Sequence, residues 1–408
     1  MAIGPYPGHF FGDADACVGN GGSFSKFVEN VRGLMMTHQM GFRWAALVAV
    51  AMGLVGATCN SSLAATFYTP GNLAVLRADG TTNNTTATIL QIDSNTANQA
   101  APVNSVSIPD SGSDALRISG SATSTAYLSH TNDGKLLTFT GHNSSTTSGN
   151  INAITLRGVG TVDAGGNYVL ATTYTGGGGD QTRSASSFDN TTWFIGDQGG
   201  MFTNGTNSAS PSGNIRGVKA FGGAMYVFTA SNGVPAVNTI NLPSGGTLSS
   251  LPGLPNNANS NGQDFYLIQS GDNSSLHDVL YLLSASSNSA GIISKFSLVA
   301  GSWAANGTYA TNFGGFGLAA RDSGAGAELF VTSGQGALAA NRVVKLFDRA
   351  GYNATIDIDT ASNYTLFTTP TGSILKGIDF VPVPEPGAIA LLLVGVVGSL
   401  GFRSRYKM

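Results

Sequence analysis

The sequence predicts an all-β protein whose body is a six- or seven-bladed β-propeller, followed by a C-terminal transmembrane helix. Three observations lead there. Charged residues make up only 10% of the chain while Gly contributes 56 of 408 positions, a balance that suits short strands and many turns and leaves few long amphipathic helices. Short aromatic and β-branched segments closed by Thr or Ser and a Gly/Asn turn recur between about Thr66 and Pro382. In the second half they recur with a period of about 50 residues, the length of a blade with several strands. The 42% hydrophobic and 9% aromatic content argues for a real core over disorder.

Taken in order, residues 1–39 read as an upstream extension of the gene, because a secretory signal normally starts close to its apolar run and Met35, Met36 or Met40 would serve as start. Residues 40–65 read as a signal peptide. Arg43 precedes an apolar run from Trp44 to about Ala57, and small residues follow, with cleavage expected at Ala64 or Ala65. The run is short for a membrane span. Cys17 and Cys59 both precede that point, so the mature chain is expected to hold no disulfide, thiolate metal site or thiol nucleophile.

Residues 66–382 form the β-rich domain. Segments at Gly165 (GGNYVLATTYTG), Asn190 (NTTWFIGDQGG), Gly222 (GGAMYVFTASNG), His277 (HDVLYLLSASSN) and Gly326 (GAELFVTSGQG) share the strand-then-turn grammar. After each of the last three comes a second strand in hairpin position, at Val237, Ile292 and Arg342. One blade buries little by itself, so blades must stack into a ring. GNLAVLRADG near Gly71 and GSILKGIDFVP near Gly372 each look like part of a blade, which predicts that the first and last segments share one blade and close the ring. The same strands and turns would also serve a β-sandwich or a β-solenoid.

The catalytic inventory of this body is sparse, and no enzyme, catalytic residue, metal or cofactor is predicted. His130, His142 and His277 lie far apart and read as solvated loop residues. There is no G-x-S-x-G elbow or S-x-x-K set, and the Gly176–Gly179 run lacks the Lys of a phosphate loop and reads as a flexible loop. Asp110, Asp114, Asp163 and Asp322 sit in turns, where acids commonly cap local backbone. A net charge of −3 offers no field for nucleic acid. Trp193 and Trp303 would stack on sugars if exposed, and otherwise belong to the core. Propeller enzymes gather ligands from several blades at one channel mouth. Three or more converging acids or histidines there would therefore favour a secreted hydrolase or lyase, and a mouth of Ser, Thr, Asn and Gly would favour binding or scaffolding.

Residues 383–408 carry Pro384-Glu385-Pro386, an apolar run from Gly387 to Phe402, and Arg403, Arg405 and Lys407. The three parts, in that order, resemble the PEP-CTERM sorting signal of exported bacterial proteins. The prolines hold the triplet extended, and the bases are expected to anchor the helix on the cytoplasmic side. The resemblance implies an exosortase-type processing enzyme and the membrane as partners, with transient insertion in the inner membrane. It also implies delivery to the cell envelope or the extracellular matrix, where exopolysaccharide is a further candidate partner. The function expected from both ends is that of a non-enzymatic surface, binding or structural protein, with a carbohydrate-binding adhesin as a further alternative.

Overall fold

The computed structural model describes residues 67–384, apart from 232, 234–235, 241–246, 258–260, 275 and 335–340. The signal cleavage positions Ala64 and Ala65, residues Glu385 and Pro386, the expected transmembrane helix and the anchor Arg403, Arg405 and Lys407 lie outside the described residues. Among the described residues no helix is long and apolar enough to cross a membrane.

Six antiparallel sheets form the six blades of a propeller. The first holds β1 (Leu73–Ala78), β2 (Ala87–Ile92) and β3 (Asn104–Ser107). The second holds β4 (Ser129–His130), β5 (Leu136–His142), β6 (Leu156–Asp163) and β7 (Tyr168–Thr175), and the third β8 (Thr182–Ser187), β9 (Trp193–Asp197) and β10 (Gly200–Thr203). The fourth is β11 (Ile215–Phe221), β12 (Ala224–Thr229), β13 (Val237–Ile240) and β14 (Leu248–Ser250). The fifth is β15 (Gly262–Ile268), β16 (Val279–Ser287), β17 (Ala290–Val299) and β18 (Ser302–Thr311). The sixth is β19 (Leu318–Asp322), β20 (Ala327–Thr332), β21 (Arg342–Asp348) and β22 (Tyr364–Thr368). The last strand, β23 (Ile374–Phe380), returns to pair with β1 and takes the inner position of the first blade. The ring is closed by the two segments that the sequence assigns to one blade.

The repeated segments at Gly222, His277 and Gly326 are β12, β16 and β20, each the second strand of its blade, with β13, β17 and β21 hairpinned after them. The segment at Asn190 is the equivalent β9. The one at Gly165 is not. It is β7, the outer strand of its blade, and the true equivalent is β5. Both carry alternating β-formers before a turn, and burial rather than pattern separates them: β5 is buried along almost its whole length and β7 is half-exposed. The third blade has three strands. Its open edge is covered by a loop, in which Met201 N–H donates to Pro211 O and Ser210 N–H donates to Met201 O.

The blades stack through aliphatic and aromatic side chains, with one large cluster running from the fourth blade through the fifth and sixth to the first. Buried cation–carboxylate–tyrosine clusters pin two of the seams. Arg157 pairs with Asp197, which also accepts from Tyr174 Oη at 2.8 Å. Lys295 lies 3.0 Å from Asp348, which accepts from Tyr281 Oη at 2.8 Å. The Gly176–Gly179 run, expected to be flexible, is tied down around this first cluster. Arg157 donates to Gly177 O, and Gly179 N–H donates to Asn152 O at 2.8 Å. A Cβ on Gly176 would lie 2.2 Å from the guanidinium, so glycine is what lets the backbone wrap it.

Candidate functional site

All six inner strands run in the same sense along the axis, and their C-terminal ends ring one mouth of the central channel. A depression of about 380 Å³ opens there, lined among others by His130, Phe221, Tyr266, His277, Arg321, Asp322 and Phe380. Below it the channel is filled by side chains. Tyr127 stacks on Phe316 with centroids 4.7 Å apart, and Lys219 bridges Asp264 at 3.1 Å and Leu318 O at 3.3 Å.

The centre of the mouth is a buried carboxylate. Asp379, in β23, accepts at one oxygen from Tyr266 Oη at 3.0 Å, His130 Nε2 at 3.1 Å and the Phe380 N–H at 2.8 Å. Its side chain is 1% exposed, and its second oxygen has no hydrogen-bond partner. Burial pushes its pKa up, but His130, Lys219 and the Phe380 N–H together hold it below the usual carboxylate value. The same arrangement pushes the Tyr266 hydroxyl well up, through burial first and the Asp379 charge second, so that it remains a donor.

His130 is neither in a loop nor freely solvated. It ends β4 with its side chain 19% exposed. When its imidazole is neutral, donating Nε2–H to Asp379 leaves Nδ1 as an acceptor. The other two histidines also depart from the solvated reading. His142 is buried with Nδ1 2.9 Å from Ile154 O, and His277 packs against Phe221 with ring centroids 5.4 Å apart. The aromatic rings lining the mouth include Phe221, itself only 8% exposed, Tyr266 and Phe380, while Trp193 and Trp303 are core residues at 2% and 4% exposure.

Four acids and histidines thus gather at this end, but only His130 and Asp379 are joined. Asp322 caps the Gly324 N–H at 3.0 Å. Arg321 is held by Glu328 at 2.5 Å and by Gly71 O at 3.1 Å, and lies over Phe330 and Phe380, so it latches the sixth blade to the first. Asp163 caps Gly165 and Asn167, and no group of three His, Cys, Asp or Glu among the described residues could hold a metal ion. Of the Pro384-Glu385-Pro386 triplet, Pro384 is exposed at the end of the described residues.

No family model matches this chain. No curated protein matches it either. Among solved structures it is similar to the periplasmic gluconolactonase of Pseudomonas aeruginosa, with 13% identity and a TM-score of 0.43 over 76% of this chain and 100% of that one. It is also similar to a chain of the nidogen/laminin complex, with 14% identity and a TM-score of 0.40 over 76% of this chain and 98% of that one. Likeness at this level carries no argument about activity. The class that the sheets themselves define is a six-bladed β-propeller, its channel filled by side chains below the mouth lined by His130.

Proposed function

We propose that this chain is an exported cell-envelope or matrix protein whose propeller holds a small polyhydroxylated ligand, such as a glycan end, in the mouth around His130. The observation that carries the reading is Asp379: a buried carboxylate that fixes the imidazole at the floor of a depression walled by Phe221 and Phe380. An oriented acceptor beside aromatic faces suits a sugar ring, which offers hydroxyl donors at its edge and C–H groups on its faces. In this reading the tail from Pro384 onward is handled by an exosortase-type enzyme and does not contribute to the ligand site.

Titration of the exported protein against a glycan array tests the mouth. Binding is expected, and His130→Ala should weaken it at least about tenfold, a loss of about 1.4 kcal/mol, with the melting temperature unchanged. A blank array for the wild-type protein sinks the ligand. Sorting is tested separately, by fractionating cells that carry Ala at Pro384, Glu385 and Pro386. Unchanged distribution and tail processing would refute the tag.

The His130–Asp379 pair also favours a second reading, a secreted hydrolase or lyase in which Nδ1 takes a proton from water or substrate. Turnover of a bound glycan ester or glycoside, abolished in His130→Ala and retained by heat-stable wild type, would select it over binding alone.

A further inference from the structure

The opposite end of the channel, where the inner strands begin, holds two buried guanidiniums with no carboxylate in hydrogen-bond contact. Arg183 is the second residue of β8 and Arg216 the second residue of β11, on the inner strands of neighbouring blades, and they are 3% and 9% exposed. Ser184 clips these strands together, donating to Arg216 O at 3.2 Å and accepting from Val218 N–H at 2.7 Å. Arg183 donates to Ser124 O and, across the seam, to Asn214 Oδ1 at 3.2 Å; Arg216 donates to Gly262 O. All of these acceptors are neutral. The Nε of each arginine is buried with no hydrogen-bond partner.

The nearby negative charges do not touch the two arginines: half-buried Asp180 acts on Arg183 only through space, with no hydrogen bond between the side chains. Asp197 belongs to Arg157 and Tyr174, and Asp264 to Lys219. Tyr127 lies beside both arginines, but burial pushes its hydroxyl up to about 12, so it supplies no charge. Lys376 also lies buried at this end, donating to Gly120 O at 3.0 Å and Ala122 O at 2.7 Å, and burial pushes its amine down to about 7. Burial first, and Arg216 among the nearby charges, push Arg183 down to about 10, still charged at neutral pH. Two buried guanidiniums of like sign in contact only with dipoles are costly unless an anion joins them. The Arg157 cluster shows what this fold does when the partner is built in: there too one Nε is unpartnered, but a carboxylate neutralises the charge.

We propose that Arg183 and Arg216 form a structural site for a monovalent anion of halide size at this end of the channel, with the two free Nε–H groups as donors. Both side chains are enclosed, which favours a monatomic ion over a polyatomic one. Asn214, the partner of Arg183, also lines a depression of about 280 Å³ that neither arginine lines.

The probe is chloride, compared with methanesulfonate at equal ionic strength so that general screening cancels. The wild-type melting temperature should climb with the logarithm of chloride concentration, as ligand linkage requires, and not with methanesulfonate. Folded protein should also broaden the chloride NMR line, and unfolding should remove the excess. Arg183→Gln should lose both responses. Equal stability in the two salts together with no excess broadening overturns the site, and so does a chloride response that survives intact in Arg183→Gln. Should that variant fail to fold, the wild-type salt comparison and line width still decide.

Discussion

His142 is a small test of how burial sets charge in this fold. Its Nδ1 donates to Ile154 O at 2.9 Å, and burial first, with Arg157 nearby, pushes its pKa down to about 4 from 6.5. The unfolded chain therefore binds a proton below 6.5 that the folded chain refuses until about 4. Stability from this group is complete above 6.5 and is lost as pH falls toward 4, in total about 3 kcal/mol. The pH dependence of urea unfolding should be shallower in His142→Gln across that window, and an identical slope would show that His142 is not the titrating group. The opposite sign belongs to Asp264, whose carboxyl burial pushes up to about 6 against the pull of Lys219, so only the difference between the two proteins isolates the histidine. None of this could be read from the sequence. His130 and His142 stand among Ser, Thr, Gly and Asn, which look like loop, and the carboxylate that orients His130 comes from the other end of the chain. One signal was available: in KGIDFVP the acid lies between Ile378 and Phe380, and an acid inside an apolar inner strand must find a buried donor.

The closing strand is the last strand before Pro384. β23 pairs along β1 from Leu73↔Phe380 to Ala78↔Ile374, and the ties continue to Val383, whose N–H donates to Gly134 O at 2.9 Å. Gly377 approaches the segment before β4 so closely that a Cβ there would meet Leu128 N at 2.3 Å and Ala126 O at 2.6 Å, so Gly377→Ala must push the strand off its seat. If the segment after Pro384 is the detachable tail proposed above, a chain ending at Pro384 should keep the full-length melting temperature. A chain ending at Thr371 lacks β23 and Asp379, leaves an open ring, and should lose its near-UV circular dichroism and cooperative melting. Equal behaviour of the two truncations would show that the ring does not depend on its closing strand.

At the scale of the whole molecule, six blades rather than seven follow from uneven blade lengths. The second strands begin at Leu73, Leu136, Trp193, Ala224, Val279 and Ala327. The three-stranded third blade shortens one interval, while long connections such as that between β3 and β4 stretch another, so the even spacing that made the last three blades visible in the sequence is absent from the first three. Ring closure was readable because its two half-blades sit at the ends of the domain; the seam chemistry was not, because each cluster joins residues of different blades. That chemistry allows a test of the ring as one unit. Asp197→Asn leaves Arg157 buried beside a neutral partner, and Asp348→Asn does the same to Lys295, each at an expected cost of about 3–5 kcal/mol. Trp193 lies in the third blade and Trp303 in the fifth, both buried, so single-tryptophan versions of the mature protein report the two regions separately. In a closed ring the blades stand or fall together, and Asp197→Asn should move the urea midpoint seen by Trp303 as far as that seen by Trp193. In a chain of independent blades only the Trp193 transition would move. The two substitutions touch separate clusters and should add within about 0.5 kcal/mol. A midpoint that shifts for one tryptophan alone would show that the blades melt locally and that closure by β23 does not couple them.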